Sequence, residues 1–153
     1  MYLETATKLY RDEWVERCKS GDHSAYRILY EKYAVAMYNT CLRILNNVEE
    51  AEDVLQESFT EAFRNLHQFE YRTSFGGWLK TICVNRSINQ LRKRKVDWVD
   101  IDRLSEHAQQ DIVEADEQAI ELRIEKVKKA MMLLPDGYRT VLNLYLFEGY
   151  DHE

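Results

Sequence analysis

One proline and five glycines in 153 residues leave this sequence almost without turn formers. Sandwiches and barrels of β-strands place turn residues about every 8–12 positions, so the all-β classes fall away, and the collagen-like and linker-rich classes with them. Paired cysteines are missing too. Cys18, Cys41 and Cys83 are odd in number, far apart and without any Cys-x-x-Cys, each within an apolar-periodic stretch; they read as buried thiols in a reducing compartment. No apolar run approaches the ~18–20 residues of a membrane span. Glu4, Lys8, Arg11, Asp12 and Glu13 interrupt the N-terminus, which therefore holds no signal-peptide core. The expected location is cytoplasmic.

Catalytic signatures are absent as well. There is no phosphate-binding G-x-x-x-x-G-K-[ST], no G-x-S-x-G elbow and no recognisable nucleophile and base pair. A di-iron bundle needs Glu-x-x-His pairs projecting inward, and none of His23, His67, His107 and His152 has a glutamate three residues before it. Cysteine and histidine are too dispersed for zinc. An enzyme is not expected, and neither is a catalytic residue, a metal or a cofactor.

What is present is a helical composition, 45% hydrophobic and 31% charged, of a length that suits one ordinary domain or two small ones. The formal net charge of −6 argues against a protein that coats nucleic acid or an anionic membrane through its overall field. That average hides a dipole. Between Trp78 and Lys95 there are six bases (Lys80, Arg86, Arg92, Lys93, Arg94, Lys95) and no acid, which leaves −12 on the remainder. One face can meet phosphate while the rest avoids it.

Apolar residues recur at helical spacing along most of the chain. Leu9, Trp14, Val15 and Cys18 form a first amphipathic stretch that stops at Ser20-Gly21, with Asp22 capping the next helix. A longer stripe follows, through Tyr26, Leu29, Tyr30, Tyr33, Met37, Cys41, Ile44 and Leu45, and ends at Asn46-Asn47. Asn47 and Glu50 then have capping-box spacing at the head of a third helix, whose stripe is Ala51, Val54, Leu55, Phe59, Ala62, Phe63 and Leu66. His67 to Ser74 break the period and read as an ordered loop. A fourth helix from about Phe75 turns Trp78, Leu79, Ile82, Cys83, Ile88 and Leu91 inward. Val96 to about Glu114 lose the period and gather acids, as a flexible linker does. Ile120, Ile124, Val127, Met131 and Leu134 mark a fifth helix, from about Asp116 to Leu133. After the turn at Pro135 and Gly137, Tyr138, Val141, Leu142 and Tyr145 mark a sixth, closed by Gly149, and Asp151 stands where another N-cap belongs. The expected fold is all-α: two small helical domains joined by an acidic linker.

Two constellations stand out. The outer side of the third helix carries Glu49, Asp53, Gln56, Glu57, Thr60 and Glu61, in a stretch of six acids without a base. A solvated helix face looks the same, so the run alone names no partner. The fourth helix combines its bases with Asn85 and Asn89, one turn apart, which suit phosphates and base edges, although cations at a helix C-terminus also oppose the macrodipole. Phe75 and Trp78 read as core aromatics. Phe69 and Tyr71 stand between core packing and stacking on unpaired bases, an interaction worth ~1–3 kcal/mol per base.

The string Ala51-Glu52-Asp53-Val54-Leu55-Gln56-Glu57-Ser58-Phe59, then Phe75-Gly76-Gly77-Trp78-Leu79-Lys80-Thr81-Ile82, then Asn85 and Leu91-Arg92-Lys93-Arg94, resembles domain two of bacterial extracytoplasmic-function RNA polymerase sigma factors. Leu134-Pro135-Asp136-Gly137-Tyr138-Arg139 and Phe147-Glu148-Gly149-Tyr150 look like the start of domain four. The resemblance covers about residues 22 to 153. It implies domain two over 1–95, a linker over 96–115 and the start of domain four over 116–153. It also implies that the third helix docks on the coiled coil of the beta-prime subunit of core RNA polymerase, through Asp53, Gln56 and Glu57 with Glu49 and Thr60 on the same face. The loop with Phe69, Tyr71 and Arg72 would take an unpaired base of the promoter minus-ten element. Lys80, Asn85, Asn89 and Arg92, followed by Lys93, Arg94 and Lys95, would lie along the promoter DNA. An anti-sigma factor that covers the polymerase-binding surfaces is a further implied partner.

Where the family often has Arg and Asp around its Asn, this chain has Val84 and Asn89. The sequence as given also stops at the first helix of the domain-four helix-turn-helix, so it is expected not to read the minus-thirty-five element. The reading is an initiation factor that binds core polymerase and opens promoter DNA. The alternatives are a decoy that occupies polymerase or an anti-sigma factor, and an independent DNA-binding regulator whose binding would be tight and strongly salt-dependent.

Overall fold

The computed structural model describes residues 8–94 and 117–149, and no strand occurs among them. The helices are α1 (Glu13–Lys19), α2 (His23–Leu45), α3 (Val48–Arg64), a 3-10 turn (Leu66–Gln68), α4 (Phe75–Lys93), α5 (Glu117–Met132) and α6 (Asp136–Leu146). The expected linker, Lys95 and the Asp151 cap lie outside the described residues. Contacts divide the chain between Gln90 and Leu91 into two units.

In the first unit α2 is the spine, and α3 runs antiparallel beside it. The order of ring contacts shows this: Tyr26 meets Phe63 edge-on at 4.8 Å and Tyr30 meets Phe59 at 4.7 Å. Each such pair adds about 0.5–1.5 kcal/mol beyond the area it buries. The connection is short because Asn46 ends α2 in the left-handed region at φ 50°, and Asn47 Oδ1 at once accepts the Glu50 N–H of α3 at 3.0 Å. On the other side Tyr26 Oη donates to the Cys18 carbonyl of α1 at 3.1 Å.

The first amphipathic stretch proves to be interrupted. Asp12 accepts the Trp14 N–H at 2.9 Å and starts α1 there, so Val15 and Cys18 are buried while Leu9, on the far side of the break, is 73% exposed. Tyr30 sits at the rim of the α2 stripe rather than inside it, and Ala25 and Thr40 join the buried side. The three cysteines are buried and free. Burial pushes the Cys18 thiol up to about 11, and a hydrogen bond with the Cys41 thiol, together with burial, holds Cys83 high as well.

α4 closes the core with Phe75, Leu79, Cys83, Val84 and Ser87. Ser74 caps it, Oγ accepting the Gly77 N–H at 3.1 Å. Gly76 is needed for the approach of α4 to α2, because a Cβ there would stand 2.8 Å from Tyr33 Cε1, and the Tyr33 ring is already held 5.4 Å from that of Phe75.

In the second unit α5 and α6 meet about the turn before Asp136. Arg139 donates to the Leu134 carbonyl at 3.1 Å and pairs with Asp136. These bonds fix which side of α6 faces the turn, so Arg139, Thr140 and Asn143 are buried with Met131. The apolar stripes of the two helices, Ile120, Ile124 and Val127 on α5 and Tyr138, Val141, Leu142 and Tyr145 on α6, are exposed.

Two outcomes follow for stability. Gly76→Ala adds helix propensity but overpacks Tyr33, and urea unfolding should show a net loss of about 1 kcal/mol. The Ser24 hydroxyl and the Arg17 guanidinium hold the Asp22 carboxyl down from 3.8 to about 2. Stabilisation from a depressed carboxyl is complete above the higher value and disappears as pH falls to the lower one. Circular dichroism of an Asp22→Asn variant should therefore show wild-type loss of helix in that interval diminished.

Candidate functional site

α3 presents Glu49, Asp53, Gln56, Glu57 and Thr60 at spacings that keep them on its outer side, and all five are exposed. The inner side of the same helix is apolar and buried, from Ala51 through Val54, Leu55 and Phe59 to Ala62. An open cleft of about 470 Å³ borders the acidic face, lined by Gln56, Glu57, Thr60, Glu61, Arg64, Asn65 and Arg86.

Arg86, one of the six bases between Trp78 and Lys95, crosses from α4 to α3, with Nη1 2.8 Å from Glu57 Oε2 and Nε bonded to Glu61 Oε2. Gln90 Nε2 makes a parallel link to Glu50 Oε1 at 3.2 Å. Along a helix Arg86 lies beside the core-facing flank rather than on the side of Asn85, and only the approach of α3 shows which way it reaches. No signal in the sequence alone marks a pair 25 and 29 residues apart.

On α4 the exposed residues Asn85, Asn89 and Arg92 fall at i, i+4 and i+7 and share one side, with Lys93 exposed next to them. Lys80 is half-buried and off that stripe, and Arg94 follows the helix end, half-buried. The structure therefore brings together the two asparagines and Arg92, and separates Lys80 from them.

Between α3 and α4 the loop packs both of its aromatics against the fold. Phe69 and Tyr71 are only 4% and 5% exposed. Phe69 packs on Trp78 at 4.9 Å and on Tyr71 at 4.7 Å, with Phe75 edge-on at 6.0 Å. Tyr71 adopts φ 56°, a left-handed conformation that a bulky residue holds only when its surroundings impose it. Its hydroxyl donates to Glu16 of α1, which lowers the Glu16 carboxyl below its usual range; burial, with that bond, raises the Tyr71 phenol. Arg72 points the other way. It is exposed and pairs with Glu70 at 2.8 Å, a solvent-facing bond that exchanges easily with another anion.

The Sigma-70 region 2 family matches residues 29–96, which takes in most of α2, all of α3, the loop and α4. The ECF RNA polymerase sigma factor SigW of Bacillus subtilis is 32% identical over 139 residues, covering 85% of this chain and 74% of SigW. The chain belongs to the ECF sigma factors. The RNA polymerase sigma-H factor of Pseudomonas aeruginosa is 33% identical to it over 148 residues, 91% of this chain and 77% of its own length. The ECF RNA polymerase sigma-E factor of Haemophilus influenzae is 26% identical over 157 residues, 97% of this chain and 82% of its own. In this sigma factor α1, which holds the loop through Glu16, precedes the matched region. Among the described residues no cluster of His, Cys, Asp and Glu has the arrangement of a metal site, and no helix is long and apolar enough to cross a membrane.

The α3–α4 bridge is open to measurement. In a double-mutant cycle, Arg86→Met with Glu57→Gln should give a coupling of about 0.5–1 kcal/mol in urea unfolding, weakened by added salt.

Proposed function

We propose that this sigma factor acts through two surfaces, one for the enzyme and one for the promoter. The protein is a transcription initiation factor that directs promoter recognition with RNA polymerase, and its membership of the ECF family over most of its length carries that conclusion. The finer assignment starts from charge. The acidic side of α3, with Glu49, Asp53, Gln56, Glu57 and Thr60, suits a basic helical surface, and the coiled coil of the beta-prime subunit of core polymerase is the partner proposed for it. An anti-sigma factor would compete for the same face. The site of action is then the cytoplasm, where polymerase works.

The promoter side comprises the loop at Arg72 and the α4 stripe of Asn85, Asn89 and Arg92, continued by Lys93, Arg94 and Lys95. Taking a minus-ten base out of its stack costs a few kcal/mol. A chain of net charge −6 attracts DNA weakly by itself, so docking on polymerase supplies the additional binding surface. Phe69 and Tyr71 act in this reading as the packed floor beneath the loop, and Lys80 as a flanking charge. Residues 1–95 make up domain two, 96–115 the linker, and 116–153 correspond to the start of domain four.

The test is direct. Asp53→Lys reverses an exposed charge that lies outside the Arg86 bridge, and it should weaken core polymerase binding at least tenfold, about 1.4 kcal/mol, with unchanged thermal unfolding. Glu57→Lys should do the same, with some loss of stability because it sets a lysine against Arg86. Binding equal to wild type by both variants would reject this face as the docking surface.

A further inference from the structure

The loop that carries Arg72 is tied to a helix more than fifty residues earlier in the chain. Lys19 of α1 donates from Nζ to the Phe69 carbonyl at 2.8 Å, and the same ammonium stands 4.6 Å from the centre of the Tyr71 ring. Glu16, one turn before it, accepts the Tyr71 hydroxyl and lies 3.9 Å from Lys19 Nζ. Arg11 completes the group, bonded to the other Glu16 oxygen at 3.1 Å. Main chain, ring face and hydroxyl of the segment 69–71 are thus each held by an α1 side chain.

The consequence appears in the alternation along the loop. Phe69 and Tyr71 are buried, while Glu70 and Arg72 are exposed. The left-handed Tyr71 backbone requires compensation from its surroundings, and the Glu16 and Lys19 bonds supply it. We infer that Glu16 and Lys19 are positioning residues for promoter single-strand recognition, holding residues 69–72 in the shape that presents Arg72 to unpaired DNA. Both act through the loop. A loop already ordered before binding loses less conformational freedom when the strand arrives, so α1 raises affinity for the strand without adding a contact. The inference rests on the reading of this loop as a promoter contact.

The experiment uses the full chain assembled with core polymerase, and a fluorescent single-stranded oligonucleotide carrying a minus-ten element. Glu16→Ala and Lys19→Met should each weaken oligonucleotide binding by about three- to tenfold, with polymerase affinity unchanged. Glu16→Gln, which keeps an acceptor for the Tyr71 hydroxyl, should restore most of the loss, and Tyr71→Phe should reproduce the Glu16→Ala defect without a large change in packing. Discrimination against oligonucleotides with one substituted minus-ten base should fall in the same variants. Wild-type oligonucleotide affinity in Glu16→Ala and Lys19→Met, or a loss that only parallels loss of polymerase affinity, would overturn the inference while leaving the promoter loop in place. No oligonucleotide binding by the wild-type assembly would overturn the loop assignment, and the inference with it.

Discussion

The apolar seam of α2 is the constraint on which the rest of the first unit depends. Tyr26, Tyr30 and Tyr33 meet in turn Phe63, Phe59 and Phe75, so one helix sets the line of α3 and the landing point of α4. With α3 held by its inner side, its acids have only one direction left, which is outward. With α4 held through Phe75 and the open position at Gly76, the exposed stripe of Asn85, Asn89 and Arg92 follows from the helical period alone. Packing thus places both candidate surfaces before any charge is considered.

Charge then refines the division. Arg86 leaves the basic side of α4 and joins the acidic side of α3, where it spans Glu57 and Glu61. It tempers the repulsion among neighbouring carboxylates at one end of the acidic face, away from Glu49 and Asp53 at the other. The loop is governed by the same economy of opposite charges, since Glu16, Lys19 and Arg11 converge where Tyr71 turns inward. Groups that carry a surface are thus distinct from groups that hold it in shape.

Much of the first unit was legible in the sequence because its periods are strong and its caps are specific. Asn47 announced α3 through the Glu50 N–H, Asp22 announced α2, and the opposed faces of α3 could be read from spacing alone. Other features are set by partners that the helical period does not show. The Asp12 cap divides the first stretch and leaves Leu9 outside; Phe69 and Tyr71 are buried because Trp78, Phe75 and α1 surround them; Arg86 turns to carboxylates that lie far away in the chain. On α6 Arg139, bonded to the Leu134 carbonyl, sets the inward side, and the apolar stripe is exposed.

The central claim is that promoter recognition by this chain depends on its docking to polymerase, and equilibrium binding of a minus-ten single strand with and without core polymerase tests it most directly. The account requires binding that is weak for the chain alone and becomes tight and sequence-dependent once core polymerase is present. Tight binding by the chain alone, falling steeply with salt and unchanged by polymerase, would contradict it.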